Sequence, residues 1–455
     1  MNEQIAVILA PLEKAQITPD KPNALRRVLF EPIICWVIDA CRNAGIEKIC
    51  IATNCREDLI RTISDSSIEI ATEENHLGTG CIPKSISGFL SRYEDADVAV
   101  LNGDTPFLDP KTIQDALSQH RSDKNAVTAI TAYVSDCGHS PLNIDSKIMQ
   151  SLQPNAESGT AHGPTELPTG NYWFTARDLL SLLSPDSNPC QEMRLSDAAA
   201  ALLQNGKKAG AYTSANPDII MRANSSRQLY KINETARMNK LFCLMEEGVE
   251  IPCTDGILIE KNVQVGMGTL LLPGTVLRGA TVVGEHCTIG PDTLIADSTI
   301  GDNTSLNAVQ CYRSTVGRDV TAGPFCHIRP NTVIHDGVHI GDFVELKNAD
   351  IGAQTHIAHL SYVGDSDVGE RVNFGCGVAV ANYDGVHKYR CTIGNDAFIG
   401  CNTNLVAPVN IGSNGYTAAG STITEDVPDE ALAIARAKQV NKPGYNQLLR
   451  GKKQG

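Results

Sequence analysis

Aromatic residues are scarce in this chain, 5% of 455 residues with two tryptophans, whereas glycines number 38. That balance suits repetitive β structure with many tight corners. No segment approaches the ~20 consecutive apolar residues of a membrane span, so none is expected. The opening MNEQIAVILA has neither a basic flank nor a long apolar run, so no signal peptide is expected. The 15 cysteines form no Cys-x-x-Cys pair, and the histidines do not interleave with them at zinc spacing. Free thiols in a reducing cytoplasm fit this pattern; a disulfide-rich secreted protein is the alternative. Positive charge is also short: the net charge of −14 argues against a nucleic-acid partner. An anionic small substrate would need a local basic pocket. Finally, no glycine follows the first apolar run, where VILA leads into PLEKAQITPDKPN. A buried strand that ends on a phosphate ligand usually hands over to a glycine-rich turn.

What is present divides the chain in two. From Ile5 to about Ile220, short apolar runs alternate with amphipathic stretches. AVILA, KICIAT, DVAVLNG and AVTAITAYV read as strands; EPIICWVIDACRNAG (31–45) and KTIQDALSQHR (111–121) read as helices. Such alternation predicts an α/β domain with a mostly parallel, doubly wound, Rossmann-like sheet. Residues 227–247 read as one helix ending at Gly248.

Beyond Gly256 the period becomes six. Val265, Leu271, Leu277, Val283, Ile289 and Ile295 are followed, after a one-residue slip, by Ile300 and Leu306. Val316, Ile328, Ile334, Ile340, Leu346, Ile351, Ile357, Val363, Val368, Phe374 and Val380 continue the series to Ile393, Ile399, Leu405, Ile411 and Ile423, with Ala322 and Thr417 filling two slots. A helix of period 3.6 cannot keep every sixth residue on one face. Ordinary hairpins would not keep the six-residue step. Coils of short strands joined by corners satisfy both demands, with one aliphatic per hexad pointing inward and coils stacked about 4.8 Å apart.

The hexads stop between Val380 and Ile393 for the loop ANYDGVHKYRCT, which carries Asn382, Tyr383, Asp384, His387 and Lys388. In a solenoid such insertions map to one face and often carry a site. Three polar positions interrupt regular hexads upstream: Arg329, Lys347 and His359. Arginine and lysine suit a phosphate, and histidine suits a base near neutral pH. Taken singly, each is ordinarily a solvated surface residue; as a set they suggest a site.

On the stretches GPFCHIRP, GDFVELKNADIG, AHLSYVGDSDVG, VNFGCGVAVANYDGVHK, GCNTNLVAPVNIG and TAAGSTITEDV, residues 250–445 resemble the C-terminal domain of the bacterial bifunctional N-acetylglucosamine-1-phosphate uridyltransferase/glucosamine-1-phosphate acetyltransferase family. The resemblance implies a left-handed parallel β-helix of hexapeptide repeats that works as a homotrimer, with its site between subunits. It implies His359 as the base toward the 2-amino group of glucosamine 1-phosphate, which attacks the thioester carbon of acetyl-CoA while a backbone N–H steadies the oxyanion. Arg329, Lys347, Tyr362, Asn373 and Lys388 fall on sugar-phosphate contacts. Cys376, Asn382, Tyr383, Cys401, Ala419 and Arg436 fall on acetyl-CoA contacts. Cys376 departs from a usual alanine and Cys401 from a usual serine.

The first half resembles the same family's uridyltransferase domain more weakly. Its glycine-rich loop, threonine-arginine pair and proline-lysine fall on VILAPLEKAQITPDKPNAL. Only Pro22 survives; Leu12 and Lys14 stand for glycines, Gln16 for the arginine and Asn23 for the lysine. HLGTG, with Gly78 and Thr79, and LNGDTPFL, with Gly103, match well. Asp104 falls on a magnesium-holding carboxylate and Asn224 on the second ligand of that Mg2+; without the resemblance, Asp104 reads equally as a strand-end carboxylate capping a turn. CGHSPLN and ELPTGN depart from the family pattern. The expected organisation is a nucleotidyltransferase-like domain at 1–226 with an impaired phosphate loop, a linker helix at 227–249, the β-helix at 250–436 and a basic tail at 437–455. Three functions compete: acetyl transfer to glucosamine 1-phosphate alone, both reactions of the family giving UDP-N-acetylglucosamine, or a non-catalytic ligand-binding or regulatory homologue.

Overall fold

A computed structural model of the chain describes residues 3–12, 21–63, 65–73, 81–134, 165–183 and 193–451. Contacts divide it into two compact units, Met1–Ala236 and Arg237–Gly455.

In the first unit the apolar runs become strands β1 (Gln4–Leu9), β2 (Lys48–Thr53), β3 (Glu69–Thr72), β4 (Asp97–Asn102), β5 (Val127–Val134), β6 (Thr165–Thr175) and β7 (Ala209–Ser214), ordered β3-β2-β1-β4-β6-β5-β7. β1 pairs in parallel with both β2 and β4. The central strands β1, β2 and β4 are buried on both faces, which is why they read as continuous apolar runs. Ala6 and Ile8 pack with Val37 and Cys41 of helix α1 (Ile33–Asn43) and with Ile113 and Leu117 of α2 (Pro110–Ser122). Ile5, Val7 and Leu9 face the other side, against Phe89, Leu179, Leu195 and Leu202. Asp109 caps α2 by accepting from the Thr112 N–H at 2.8 Å, with Pro110 at the first helical position.

The sheet is less uniformly parallel than the alternation predicts. β6 runs antiparallel to both β4 and β5. It includes ELPTGN, a stretch not read as a strand from the sequence, with Pro168 and Gly170 inside it. The register of β5 and β6 shifts between Ile130 and Thr131, and Gly170 adopts a positive φ of 80° opposite that break. The bulge takes up Thr169 and Gly170 while Pro168 stays paired with Thr131, so the strand is not ended.

Helix α3 (Ser226–Glu246) is the predicted 227–247 span shifted by one residue toward the N-terminus, and Gly248 lies just beyond it with φ 89°. Its Ile232 and Ala236 pack with Val28, Leu29 and Ile33 in the first unit. Its Leu241 and Leu244 begin the core of the second.

The second unit is a stack of parallel coils whose strands form three sheets of 10, 9 and 10 strands. Every aliphatic slot of the hexad pattern is buried, including Ala322 and Thr417. The sequence pattern passed over Cys311, which is in register with Ile295 and Ile328 and fully buried. A short coil between Leu306 and Val316 hides it from a strict six-residue count. Corners turn through left-handed residues, many of them Asn or Asp, such as Asn303, Asn331 and Asn402. Among the corners that depart from that preference, Phe325, Phe343 and Leu360 carry positive φ and stand exposed. Among the described residues, no helix is long and apolar enough to cross a membrane.

Candidate active site

Consecutive coils bring distant residues into vertical columns. The strand His339–Asp342 lies in parallel register beneath His356–His359, so Asp342 sits directly under His359. The column continues upward. Gly377 N–H donates to the His359 carbonyl, Asn402 N–H to that of Cys376, and Gly420 N–H to that of Cys401. Asp342, His359, Cys376, Cys401 and Ala419 therefore occupy one edge of the β-helix. Arg436 lies beside its upper end, with Cδ 3.8 Å from where a side chain on Gly420 would begin. Cys376 is half-buried and Cys401 exposed, and both are free thiols.

His359 is exposed and, among the described residues, bonded at one ring nitrogen. Its Nδ1 lies 2.9 Å from Asp342 Oδ1. A carboxylate accepts, so Nδ1 carries the proton in this pair and Nε2 is left as the basic nitrogen. The same hydrogen bond holds the Asp342 carboxyl below the usual carboxylate range. Sequence reasoning overlooked Asp342, although it stands within GDFVELKNADIG. The 17-residue separation is one coil, and that spacing is the signal that exposes it.

Across the next corner lies a cationic cluster. Arg329 Nη1 donates to Glu345 Oε1 at 2.7 Å. Lys347 Nζ lies 3.8 Å from Asp365 Oδ2. Asn348 donates to Asp365 Oδ1 at 2.6 Å, and Asn382 donates to its other oxygen. Burial alone would raise Asp365, but these amides and the charges of Lys347 and Lys388 hold it below the usual range. Lys347 is also held low, first by hydrogen-bond contact with Lys388 and then by burial, although the Asp365 carboxylate pulls it upward; the charges of Lys388 and Arg329 add to the lowering. Three cations thus crowd one another, and an anion placed among them would relieve the repulsion. Tyr362 leans over Gly364, where a Cβ would meet its hydroxyl at 2.3 Å, so residue 364 must lack a side chain for that pose.

The inserted loop closes on itself. Tyr383 and Lys388 form an antiparallel bridge, Tyr383 Oη donates to the Gly385 carbonyl at 2.6 Å, and Asp384 accepts from the N–H groups of Val386 and His387. Arg390 ties its far end to Asp367 and to the Asn348 carbonyl.

Not every expected contact gathers within one chain. Asn382, expected beside acetyl-CoA, is buried and spends its amide on Asp365 in the cationic cluster. Asn373 sits on a different sheet, in register between His356 and Phe398, away from Arg329 and Lys347. In the first unit, Gly103 N–H donates to the Leu9 carbonyl at 2.8 Å. Leu12 N–H is taken by Asn54 Oδ1 at 2.6 Å, so it is not free for a phosphate. Asp104 is already paired with a cation of the chain: Arg222 Nε donates to its Oδ1 at 2.9 Å. Glu13, Lys14 and Gln16, the pair Gly78 and Thr79, and CGHSPLN (137–143) lie outside the described residues.

Comparison with known proteins accords with both halves. Residues 20–163 match the MobA-like NTP transferase domain and residues 313–348 the bacterial transferase hexapeptide (six repeats). The bifunctional protein GlmU of Acetivibrio thermocellus is 36% identical over 446 residues, 97% of this chain and 96% of that protein. That of Carboxydothermus hydrogenoformans is 36% identical over 96% of this chain and 99% of its own. That of a Geobacillus species is 35% identical over the full length of both. With the hexapeptide match, the stacked coils are those of a left-handed parallel β-helix. A chain similar from end to end to these relatives, carrying a nucleotidyltransferase-like sheet and a hexapeptide β-helix in that order, belongs to the bacterial family of bifunctional N-acetylglucosamine-1-phosphate uridyltransferase/glucosamine-1-phosphate acetyltransferases.

Proposed function

We propose that this chain transfers the acetyl group of acetyl-CoA to the amine of glucosamine 1-phosphate, and that its nucleotidyltransferase-like domain has lost UTP turnover. One observation carries the first part: an imidazole with a free Nε2, oriented by Asp342, stands one corner from three convergent cations. The cations Arg329, Lys347 and Lys388 receive the sugar phosphate. His359 Nε2 takes a proton from the amine, the N–C bond forms, the C–S bond breaks and the thiolate of coenzyme A leaves. Acetyl-CoA follows the edge past Cys376, Cys401 and Ala419 toward Arg436. Tyr362, Asn373 and Tyr383 complete the pocket. Asn373 faces another sheet of its own chain, which accords with a site shared between subunits of a trimer. The exposed Phe325, Phe343 and Leu360 beside the catalytic column offer such a trimer an apolar seam.

The second part rests on Leu12, whose N–H is already engaged, and on the substitutions at residues 16 and 23. Family membership favours the other reading, in which both reactions run. Thiol release from acetyl-CoA on adding glucosamine 1-phosphate, absent with glucosamine alone, is the expected result for the transferase. Pyrophosphate release from UTP and N-acetylglucosamine 1-phosphate with magnesium is expected to be absent; its presence would establish the bifunctional reading.

Asp342 acts through His359 as a positioning residue. Asp342→Ala is expected to lower kcat about tenfold, a part of the 10²–10⁴ that a general base contributes. KM for the sugar phosphate should not change, because Asp342 lies outside the cationic cluster. Steady-state kinetics with both substrates separates the two parameters.

A further inference from the structure

The carboxyl ends of β1 and β4 frame a point where chain order reverses: β2 and β3 lie to one side of β1, and β4 to the other. Open α/β sheets place their ligand crevice at such a point. Asp104 follows β4 there and is 6% exposed. Its Oδ1 accepts from Arg222 Nε at 2.9 Å, and the guanidinium is itself largely shielded from solvent. Asn224 N–H donates to the Arg222 carbonyl at 3.0 Å, so one turn carries both the guanidinium and the amide expected to hold a metal.

A shielded carboxylate gains a great deal from one cation in contact and loses from a second. A divalent ion on Asp104 would have to displace the guanidinium or sit against it. Displacement strands an arginine in a nearly closed crevice, and coexistence sets like charges a few ångströms apart. Among the described residues, no three His, Cys, Asp or Glu side chains gather to overcome that repulsion. The neighbouring Asn23 sharpens the contrast. It stands where the resemblance places a lysine, is 3% exposed, and has no partner for either amide atom among the described residues. It adjoins Ala24, whose Cβ is 3.2 Å from where a Gly103 side chain would begin. The cation in contact with Asp104 is therefore Arg222, and residue 23 brings no charge.

We infer that Arg222 occupies the place of the divalent cation on Asp104, so that the crevice is closed to metal from within the chain. The inference rests on the reading that this domain has lost UTP turnover, and gives that loss a physical cause. Mn2+ is a suitable probe, because carboxylates hold Mn2+ and Mg2+ alike. The free-ion electron paramagnetic resonance signal counts bound Mn2+ on the full-length protein. Wild type and Asp104→Asn are expected to bind the same number of ions. Arg222→Gly is expected to bind one more than the Arg222→Gly/Asp104→Asn double variant, and Arg222→Lys to behave as wild type. One additional ion on wild type relative to Asp104→Asn would overturn the inference, as would a folded Arg222→Gly protein that gains none. If Arg222→Gly does not fold, the comparison of wild type with Asp104→Asn decides alone. Metal binding by wild type without pyrophosphate release would remove the role of Arg222 and leave the loss of UTP turnover standing.

Discussion

Replacing His359 with alanine is expected to lower acetyl transfer to glucosamine 1-phosphate by about 10²–10⁴-fold, the usual contribution of a general base. The loss should fall on kcat. An amine attacks a thioester only when neutral, and Nε2 is the nitrogen left free once Nδ1 is committed to Asp342. The imidazole is exposed, with 58% of its side-chain surface accessible, so its removal leaves no cavity and breaks no packed contact. Thermal unfolding of the variant should therefore match wild type. That match separates a chemical loss from a folding defect. Unchanged thiol release from His359→Ala would overturn the catalytic role.

Lys347→Ala is expected to raise KM for glucosamine 1-phosphate by about 10–100-fold while kcat changes much less. A charge-assisted hydrogen bond to a phosphate is worth about 1.5–3 kcal/mol, and such a contact is made equally in ground and transition states. A pH dependence follows from the same crowding. Contact with Lys388, and then burial, hold the Lys347 ammonium below the ordinary lysine range. As pH rises through that lowered range the ammonium is lost, so KM should rise on the alkaline side earlier than an ordinary lysine would cause. In Lys347→Ala that early rise should disappear. Initial rates at graded pH and sugar-phosphate concentration measure both effects, and an unchanged KM would exclude Lys347 from the phosphate site.

The site was legible in part, and the boundary is physical. Arg329, Lys347 and His359 stand out because each interrupts a hexad that otherwise carries small or aliphatic residues. Asp342, Glu345 and Asp365 do not stand out, because acidic residues are common at the corners of this β-helix. Their importance comes from what lies one coil above: His359 over Asp342, and Asn382 beside Asp365. The partner of Asn382 was hidden for the same reason. Its position in the loop is plain in the sequence, but its buried amide points into the cationic cluster. In the first half the four predicted strands form with shifts of no more than two residues at either end, since a doubly buried strand is an apolar run. β6 escaped notice because a bulge let Pro168 and Gly170 sit inside a strand.

The amino-acid order alone determined that the second half winds in coils. A six-residue recurrence is local, and only short strands joined by corners bury every sixth side chain. It also determined the family, through motifs that need no coordinates to be read. Which residues share an edge was decided in three dimensions. Vertical register depends on the length of each coil, and those lengths vary where a slot is shortened before Val316 or a loop is inserted after Val380. The pairing of Asp104 with Arg222 lies further still from local pattern. The two are 118 residues apart, and only the closing of the sheet at β1 and β4 brings one cation to that carboxylate.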